Sequence, residues 1–267
     1  MDHFKKTLIT RPGICEMISI SKNTAGPQNL KKNKGPSLKI NAGFYCESEN
    51  CEKVFNSWKT LYIDAMNNSK EIHMIPAWWN KDKCIYSPLL KKIGVNNSKI
   101  KVYPTDPLYY INLLEKLTAK QKVLIIFPFK KSFDKNIKKL NLIYPNNKIN
   151  IKNLSVIETP QTNFPPYPHK NWEETYLFLT KKISKEIFDV ALLSCGCYGH
   201  PLCEYIYSSL NKSAIYIGGR LQLCFGILGS RWNNRPEVKP LINSHWSYPS
   251  EPERPKDYKK IEYGCYW

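Results

Sequence analysis

Residues 188–203 read F-D-V-A-L-L-S-C-G-C-Y-G-H-P-L-C, and the order of residue types in this stretch decides the fold class. Phe188 to Ser194 reads as a strand whose centre, Val190 to Leu193, is apolar without a break, the signature of a parallel strand covered on both faces. The run breaks at Cys195-Gly196-Cys197-Tyr198-Gly199-His200, and Pro201 opens a helix that the pattern carries to Leu210. A second apolar strand, Ala214 to Ile217, follows and ends in Gly218-Gly219-Arg220. Strand, helix and strand in this order make a βαβ unit with a right-handed crossover. The loop after each strand then lies at the carboxyl edge of a parallel sheet, where such sheets bind their ligands.

The chemistry of these loops fits a phosphate-bearing ligand. Gly196 and Gly199 carry no Cβ, so the backbone can turn tightly and approach a ligand closely. The following helix start offers unpaired N–H groups and positive dipole charge. Glycines that merely close tight βα turns are the plainer account of the same residues. His200 stands at the helix start, where the dipole disfavours its protonated form. It can donate one neutral N–H to a phosphate, act as a base, or only satisfy a turn. Arg220, Gln222, Arg231 and Trp232 follow the glycine pair; arginine grips a diphosphate bidentately and tryptophan stacks on a base or sugar. The turn supplies G-x-x-G rather than G-x-G-x-x-G, and the next strand ends in glycines and an arginine rather than an acid. NAD is therefore not an expected cofactor.

Outward from this unit the same alternation recurs. Val54, Phe55, Trp58, Leu61, Tyr62 and Ala65 fall on one helical face, followed by a short apolar strand, Glu71 to Ile75. Ile100 to Tyr103 predicts a strand, and Asp106-Pro107 an N-cap and first-turn proline for a helix carrying Leu108, Ile111, Leu114 and Leu117. Lys122 to Phe129 is apolar on both faces, and Asn171 with Glu174 predicts a capped helix with Trp172, Tyr176, Leu179, Ile183 and Ile187 as its buried stripe. The expected fold is α/β: a doubly wound, mostly parallel Rossmann-like sheet with helices on both faces. Residues 1–267 read as a single α/β domain, with two halves meeting near 120 as the other option and an irregular tail over 245–267. Residues 22–40, with two Gly-Pro pairs and many lysines, read as a long loop.

Lys plus Arg number 40 against 22 Asp plus Glu, for a net charge of +18. That balance attracts anionic partners, although an AT-rich genome writes the same Lys, Asn and Ile bias. The lysines are scattered and no nucleic-acid-binding motif accompanies them, so nucleic acid is not the expected partner. No apolar run reaches the roughly 18 residues a membrane helix needs, and the start Met1 to Leu8 is no secretory signal. Nine cysteines in such a chain predict reduced thiols in a cytoplasmic setting. Cys46/Cys51 and Cys195/Cys197 lack the second pair a structural zinc requires.

Near the amino terminus, Ile9 to Glu16 (I-T-R-P-G-I-C-E) reads as a strand entering a glycine turn with an acid. A carboxylate there can ligate a divalent cation or serve as a base; on residue chemistry alone, a surface Glu capping a helix is the simpler account. R-P-G-I-C-E, with Arg11, Gly13 and Glu16, resembles the R-x-G-D-G-E element of the GT-D-type glycosyltransferases. G-C-Y-G-H-P-L leading to A-I-Y-I-G-G resembles their βαβ unit. Asp189 through Trp232, with Asn41 to Phe44 (N-A-G-F), Phe127 to Phe129 (F-P-F) and the closing Gly264 to Trp267, looks like a group of bacterial and viral proteins associated with surface-polysaccharide loci.

The resemblance implies transfer of a sugar from a nucleotide-sugar donor to a hydroxyl of a glycan or lipid-linked acceptor, with Mn²⁺ or Mg²⁺ at Glu16. Ile14 stands where the family has its metal-binding Asp, so Glu16 alone is left of the acidic pair. Glu16, Arg11 and His200 are then the expected catalytic residues. Gly13, Asn41, Gly196, Tyr198, Gly199, Gly218, Gly219, Arg220, Gln222, Arg231 and Trp232 are expected to bind the nucleotide sugar. The basic surface would suit anionic donors or peripheral contact with an anionic membrane. The rival expectations are a non-catalytic nucleotide-sugar sensor or scaffold, a basic nucleic-acid-binding protein, and an NAD(P)-dependent enzyme acting on a nucleotide sugar.

Overall fold

In the computed structural model of the chain, which describes residues 5–22, 37–74, 79–80, 83–84, 87–103 and 106–267, the elements run as follows. Leu8–Thr10 (β1), Ile14–Lys22 (α1), Leu38–Ala42 (α2), Cys51–Asn68 (α3) and Glu71–Met74 (β2) come first. Trp79–Asn80 (β3), Lys83–Cys84 (β4), Ser87–Lys92 (α4), Ile100–Val102 (β5), Pro107–Thr118 (α5) and Val123–Phe127 (β6) follow. Lys130–Asn136 (α6), Leu140–Ile143 (α7), Leu154–Glu158 (β7), Trp172–Ile183 (α8), Val190–Leu193 (β8), Gly199–Glu204 (α9) and Ser213–Tyr216 (β9) complete the fold. Seven strands form a parallel sheet in the order β5-β2-β1-β9-β8-β6-β7, which is the doubly wound, Rossmann-like arrangement expected from the alternation of elements. β3 and β4 make a separate antiparallel pair.

Contacts gather the chain into two compact units. The first comprises Met1–Pro104, Thr162–Lys185 and Gly196–Tyr216, in their described residues, and the second Thr105–Gln161, Glu186–Cys195 and Ile217–Trp267. The units interleave along the sequence, so no single cut near residue 120 separates them.

In the first unit β1 lies between β2 (Thr10 opposite Ile72) and β9 (Ile9 opposite Ile215). α3 buries Val54, Phe55, Trp58, Tyr62, Ala65 and Met66, the one-sided stripe that its sequence spacing predicts. Trp58 is fully buried, and its indole N–H donates to the Cys197 carbonyl at 2.9 Å. Phe44 packs among Phe55, Trp58 and Trp172. At the start of α8, Asn171 accepts the Glu174 N–H at 3.0 Å, while the Glu174 carboxylate takes the Lys170 N–H at 3.1 Å. The capping box is thus present but reaches one residue further out than its usual form.

The second unit is built on β6, whose five residues are all buried. It pairs with β7 (Val123 opposite Leu154) and β8 (Val123 opposite Val190). Asp106 caps the Leu108 N–H of α5, and Pro107 occupies the first turn, as the sequence predicts. β7 and α6 are not anticipated by the sequence pattern. The expected surface tail is instead part of this core: Ile261 is 1% and Trp267 8% exposed. The Trp267 indole donates to the Glu253 carbonyl at 2.8 Å, and the Glu253 carboxylate accepts the Ser132 N–H at 3.1 Å.

Three further expectations are corrected. The helix expected over Pro201 to Leu210 starts at Gly199 and passes into a π-helical turn at Tyr205–Ser209. Within the expected loop 22–40, Lys22 closes α1 and Leu38 opens α2, capped by Ser37; 23–36 lie outside the described residues, as do Ile75 and Pro76. Reduced thiols do not hold throughout, because Cys46 and Cys51 form a disulfide with their Cα atoms 5.6 Å apart. The turn before α3 folds Cys51 back beside Cys46 within bonding range. No helix among the described residues is long and apolar enough to cross a membrane.

Candidate active site

The carboxyl end of β1 turns through Arg11-Pro12-Gly13 into α1, and the Gly13 carbonyl accepts the Met17 N–H at 3.0 Å. Gly13 therefore holds the N-cap position, and Glu16 falls three residues on, where an acid can reach back over the helix start. It does so. A Cβ built on Gly13 would overlap the Glu16 carboxylate, so the absence of a side chain at the cap is what seats that carboxylate. The Gly13 N–H donates to the Tyr62 hydroxyl at 3.1 Å.

Glu16 is 7% exposed, not the surface cap that residue chemistry alone suggests. Burial pushes its carboxyl above the usual range, opposed by its own backbone N–H and by the Arg11 guanidinium. Tyr62 is pushed well up by burial and by the Glu16 charge, so its phenol stays protonated. The Tyr62 ring stacks on His200 with centroids 4.0 Å apart. His200 is 1% exposed, and its Nε2 is buried without a hydrogen-bond partner among the described residues. Burial first, and the Arg11 charge second, hold its pKa down to about 3, so the ring is neutral at physiological pH. His73, on the neighbouring β2, is also pushed down by burial against the opposing effect of its Glu71 partner at 3.1 Å, and it too feels the Arg11 charge. Tyr103 stacks on it at 3.7 Å.

Arg11, Glu16 and His200, the three expected catalytic residues, thus belong to one unit and interact electrostatically through the guanidinium. Tyr62 and His73 join them and were not singled out by sequence reasoning. Tyr62 sat in an apolar helical stripe, where its hydroxyl was the available signal, because a buried phenol needs a partner. A histidine within a four-residue buried strand is the corresponding signal for His73.

The glycine loop does something other than leave space. Gly196 has φ +53, and a Cβ there would drive into the Ala42 carbonyl; a Cβ on Gly199 would overlap the Tyr216 ring. Tyr198 is 2% exposed, and its hydroxyl meets the Thr162 hydroxyl at 3.2 Å. The Asn41 side chain accepts the Ser37 N–H at 2.8 Å at the start of α2. Packing within the first unit accounts for these residues. Gly196→Ala combines a left-handed backbone with an immovable carbonyl and is expected to cost about 3–5 kcal/mol, read as a loss of roughly 10 °C in melting temperature. Gly13→Ala meets only the end of a flexible side chain. It should unseat Glu16 and cost about 1 kcal/mol, so turnover falls while the melting temperature moves by only a few degrees.

The remaining expected residues lie in the second unit. Gly218 has φ +71, and Gly219 packs against the Tyr266 ring. Gln222 is 1% exposed, and its side-chain N–H₂ donates to the carbonyls of Ile227, Leu228 and Tyr266, a structural tie for the carboxyl-terminal segment. The Arg220 and Arg231 guanidiniums lie 5.6 and 5.7 Å from the Trp232 ring centroid.

No family model, no curated protein and no solved structure matches the chain in the comparisons made with each.

The groups around Glu16 do not fit Mn²⁺ or Mg²⁺. Such hard cations take about six oxygen ligands, several of them anionic, whereas Glu16 is accompanied by a guanidinium, a phenol and a neutral imidazole. Among the described residues no three His, Cys, Asp or Glu side chains are placed to hold a metal.

Proposed function

We propose that the chain is a glycosyltransferase that moves a sugar from a nucleotide-sugar donor to a hydroxyl of a glycan or glycolipid, acting in the cytoplasm. The observation that carries the reading is the seat of Glu16. The R-P-G-I-C-E element follows a strand and folds as a glycine cap and a helix start, with the acid turned inward beside Arg11. A buried carboxyl with a raised pKa is a general base poised closer to neutral pH than an exposed one.

In the proposed reaction the acceptor hydroxyl gives its proton to the Glu16 carboxylate as its oxygen attacks the anomeric carbon. The bond from that carbon to the diphosphate oxygen breaks, and the electron pair leaves with the nucleoside diphosphate. The Arg11 guanidinium offsets the negative charge that develops. Neutral His200, stacked on Tyr62, carries an unpartnered Nε2 that serves as a hydrogen-bonding group.

Binding is the first test. A nucleotide sugar present at about 100 times its dissociation constant should stabilise the native state by roughly 2.7 kcal/mol, read as a rise in melting temperature with one donor and its nucleoside diphosphate. No shift across the common donors overturns the reading. A shift with NAD(P) alone replaces it with an oxidoreductase or epimerase. The rival reading of a non-catalytic nucleotide-sugar binder is favoured by Ile14 and by the unsuitability of the Glu16 surroundings for a cation; such a protein would shift with donor and never consume it.

A further inference from the structure

We propose that the Arg220–Trp232–Arg231 group of the second unit is an exchangeable binding site for a diphosphate, and that Glu262 occupies it as an internal anion. The inference does not rest on the transferase reading. Two guanidiniums share one indole ring, at 5.6 and 5.7 Å from its centroid, and the Arg231 guanidinium also lies 4.9 Å from the Tyr266 ring. Trp232 is 4% exposed, and its Nε1 is buried with no hydrogen-bond partner among the described residues. Arg231 donates to the Tyr266 hydroxyl at 3.3 Å and forms an ion pair with Glu262. Cationic forks and an unused N–H donor are the groups that recognise phosphoryl oxygens, and the aromatic faces hold the guanidiniums in place.

The way Glu262 reaches Arg231 marks its carboxylate as a stand-in. Glu262 and Tyr263 are consecutive non-glycine residues at φ 47 and 59, a left-handed conformation that side chains with a Cβ disfavour. Such geometry persists where surrounding contacts impose it. Packing of Tyr263 does not, because that side chain is 96% exposed. The ion pair to Arg231, the Cys265 thiol on the Glu262 carboxylate at 3.5 Å and the Gly264 N–H on the Ile261 carbonyl at 2.8 Å together hold the corner. A ligand oxygen that replaces the carboxylate on the guanidinium keeps the charge pairing and lets the corner relax, so ligand and Glu262 compete for one seat.

The test is calorimetric titration of the full chain with inorganic pyrophosphate and, separately, with a nucleoside diphosphate. Both Glu262→Gln and Glu262→Gly remove the competing charge, and the glycine variant also removes the backbone strain. Each is expected to bind pyrophosphate about 10-fold more tightly than the parent chain, and Arg231→Gln about 10-fold more weakly. Equal affinity for the two probes identifies the diphosphate itself as the ligand; tighter nucleoside-diphosphate binding identifies a nucleotide. Affinity in either folded Glu262 variant equal to or below that of the parent chain overturns the inference. The gain in pyrophosphate affinity on Glu262→Gln should persist in a Glu16→Gln background, so failure of the transferase reading and failure of this one are separately visible.

Discussion

Glu16→Gln is expected to lower turnover by about 10²–10⁴-fold, the range over which a positioned general base acts, and to raise the melting temperature at neutral pH. Both effects come from the same burial. Glutamine keeps the shape and the seat over Gly13 but cannot take the acceptor proton. The stability change has a definite sign: the folded pKa of Glu16 lies above its unfolded value, near 4.3. The folded state therefore binds a proton that the unfolded state releases. The stabilising contribution is complete below about pH 4.3 and is lost as pH rises through the folded value. The glutamine variant pays no such cost, so its advantage over the parent chain should open with rising pH and vanish in acid. The pH–rate profile should rise through the folded Glu16 pKa in the parent chain and lose that limb in the variant. Equal melting temperatures across the whole pH range would show that the carboxyl is not buried as described.

Acid should destabilise the fold steeply, and His200 should account for much of it. Its ring is held neutral down to a pKa of about 3 by burial and by the Arg11 charge. A group depressed in the folded state contributes stability that is complete above its unfolded pKa, near 6.5, and lost as pH falls through the folded value. Across that window the loss is on the order of 5 kcal/mol, at about 1.4 kcal/mol per pH unit. His200→Phe keeps an aromatic face on Tyr62, removes the unpartnered Nε2 and cannot titrate. Denaturant unfolding followed from pH 7 to pH 4 should show a gap between parent and variant that narrows and then reverses in favour of phenylalanine. Parallel curves would contradict the burial assigned to this residue.

The parts of the fold that sequence made legible are those where one local pattern suffices. Val123–Phe127 and Val190–Leu193 are apolar throughout because both faces are covered, and this needs no knowledge of partners. Leu154–Glu158 escaped because only Ile157 of its five residues is buried, so neither alternation nor an apolar run marks it. Lys130–Asn136 escaped because its composition is that of a charged loop.

The candidate site was legible as residue types and not as geometry. The R-P-G-I-C-E element pointed to Arg11 and Glu16, but the inward turn of Glu16 depends on Gly13 at the cap and on Tyr62 arriving from a separate helix. Gly196 and Gly199 read either as room for a ligand or as tight-turn glycines, and Ala42 and Tyr216 stand where their Cβ atoms would lie; which atoms stand beside a glycine is decided by tertiary packing. Glu262 had no sequence signal, since nothing local announces two successive left-handed residues without glycine.

The measurement that bears most directly on the central claim is product analysis. The purified chain is incubated with each common nucleotide sugar and a hydroxyl acceptor, and nucleoside diphosphate and transferred or released sugar are quantified by mass spectrometry. Consumption of one donor, with nucleoside diphosphate formed in equal amount to the sugar moved, and loss of both products in Glu16→Gln, is the predicted result. A donor that binds and is never consumed, or products formed equally well by Glu16→Gln, would contradict it.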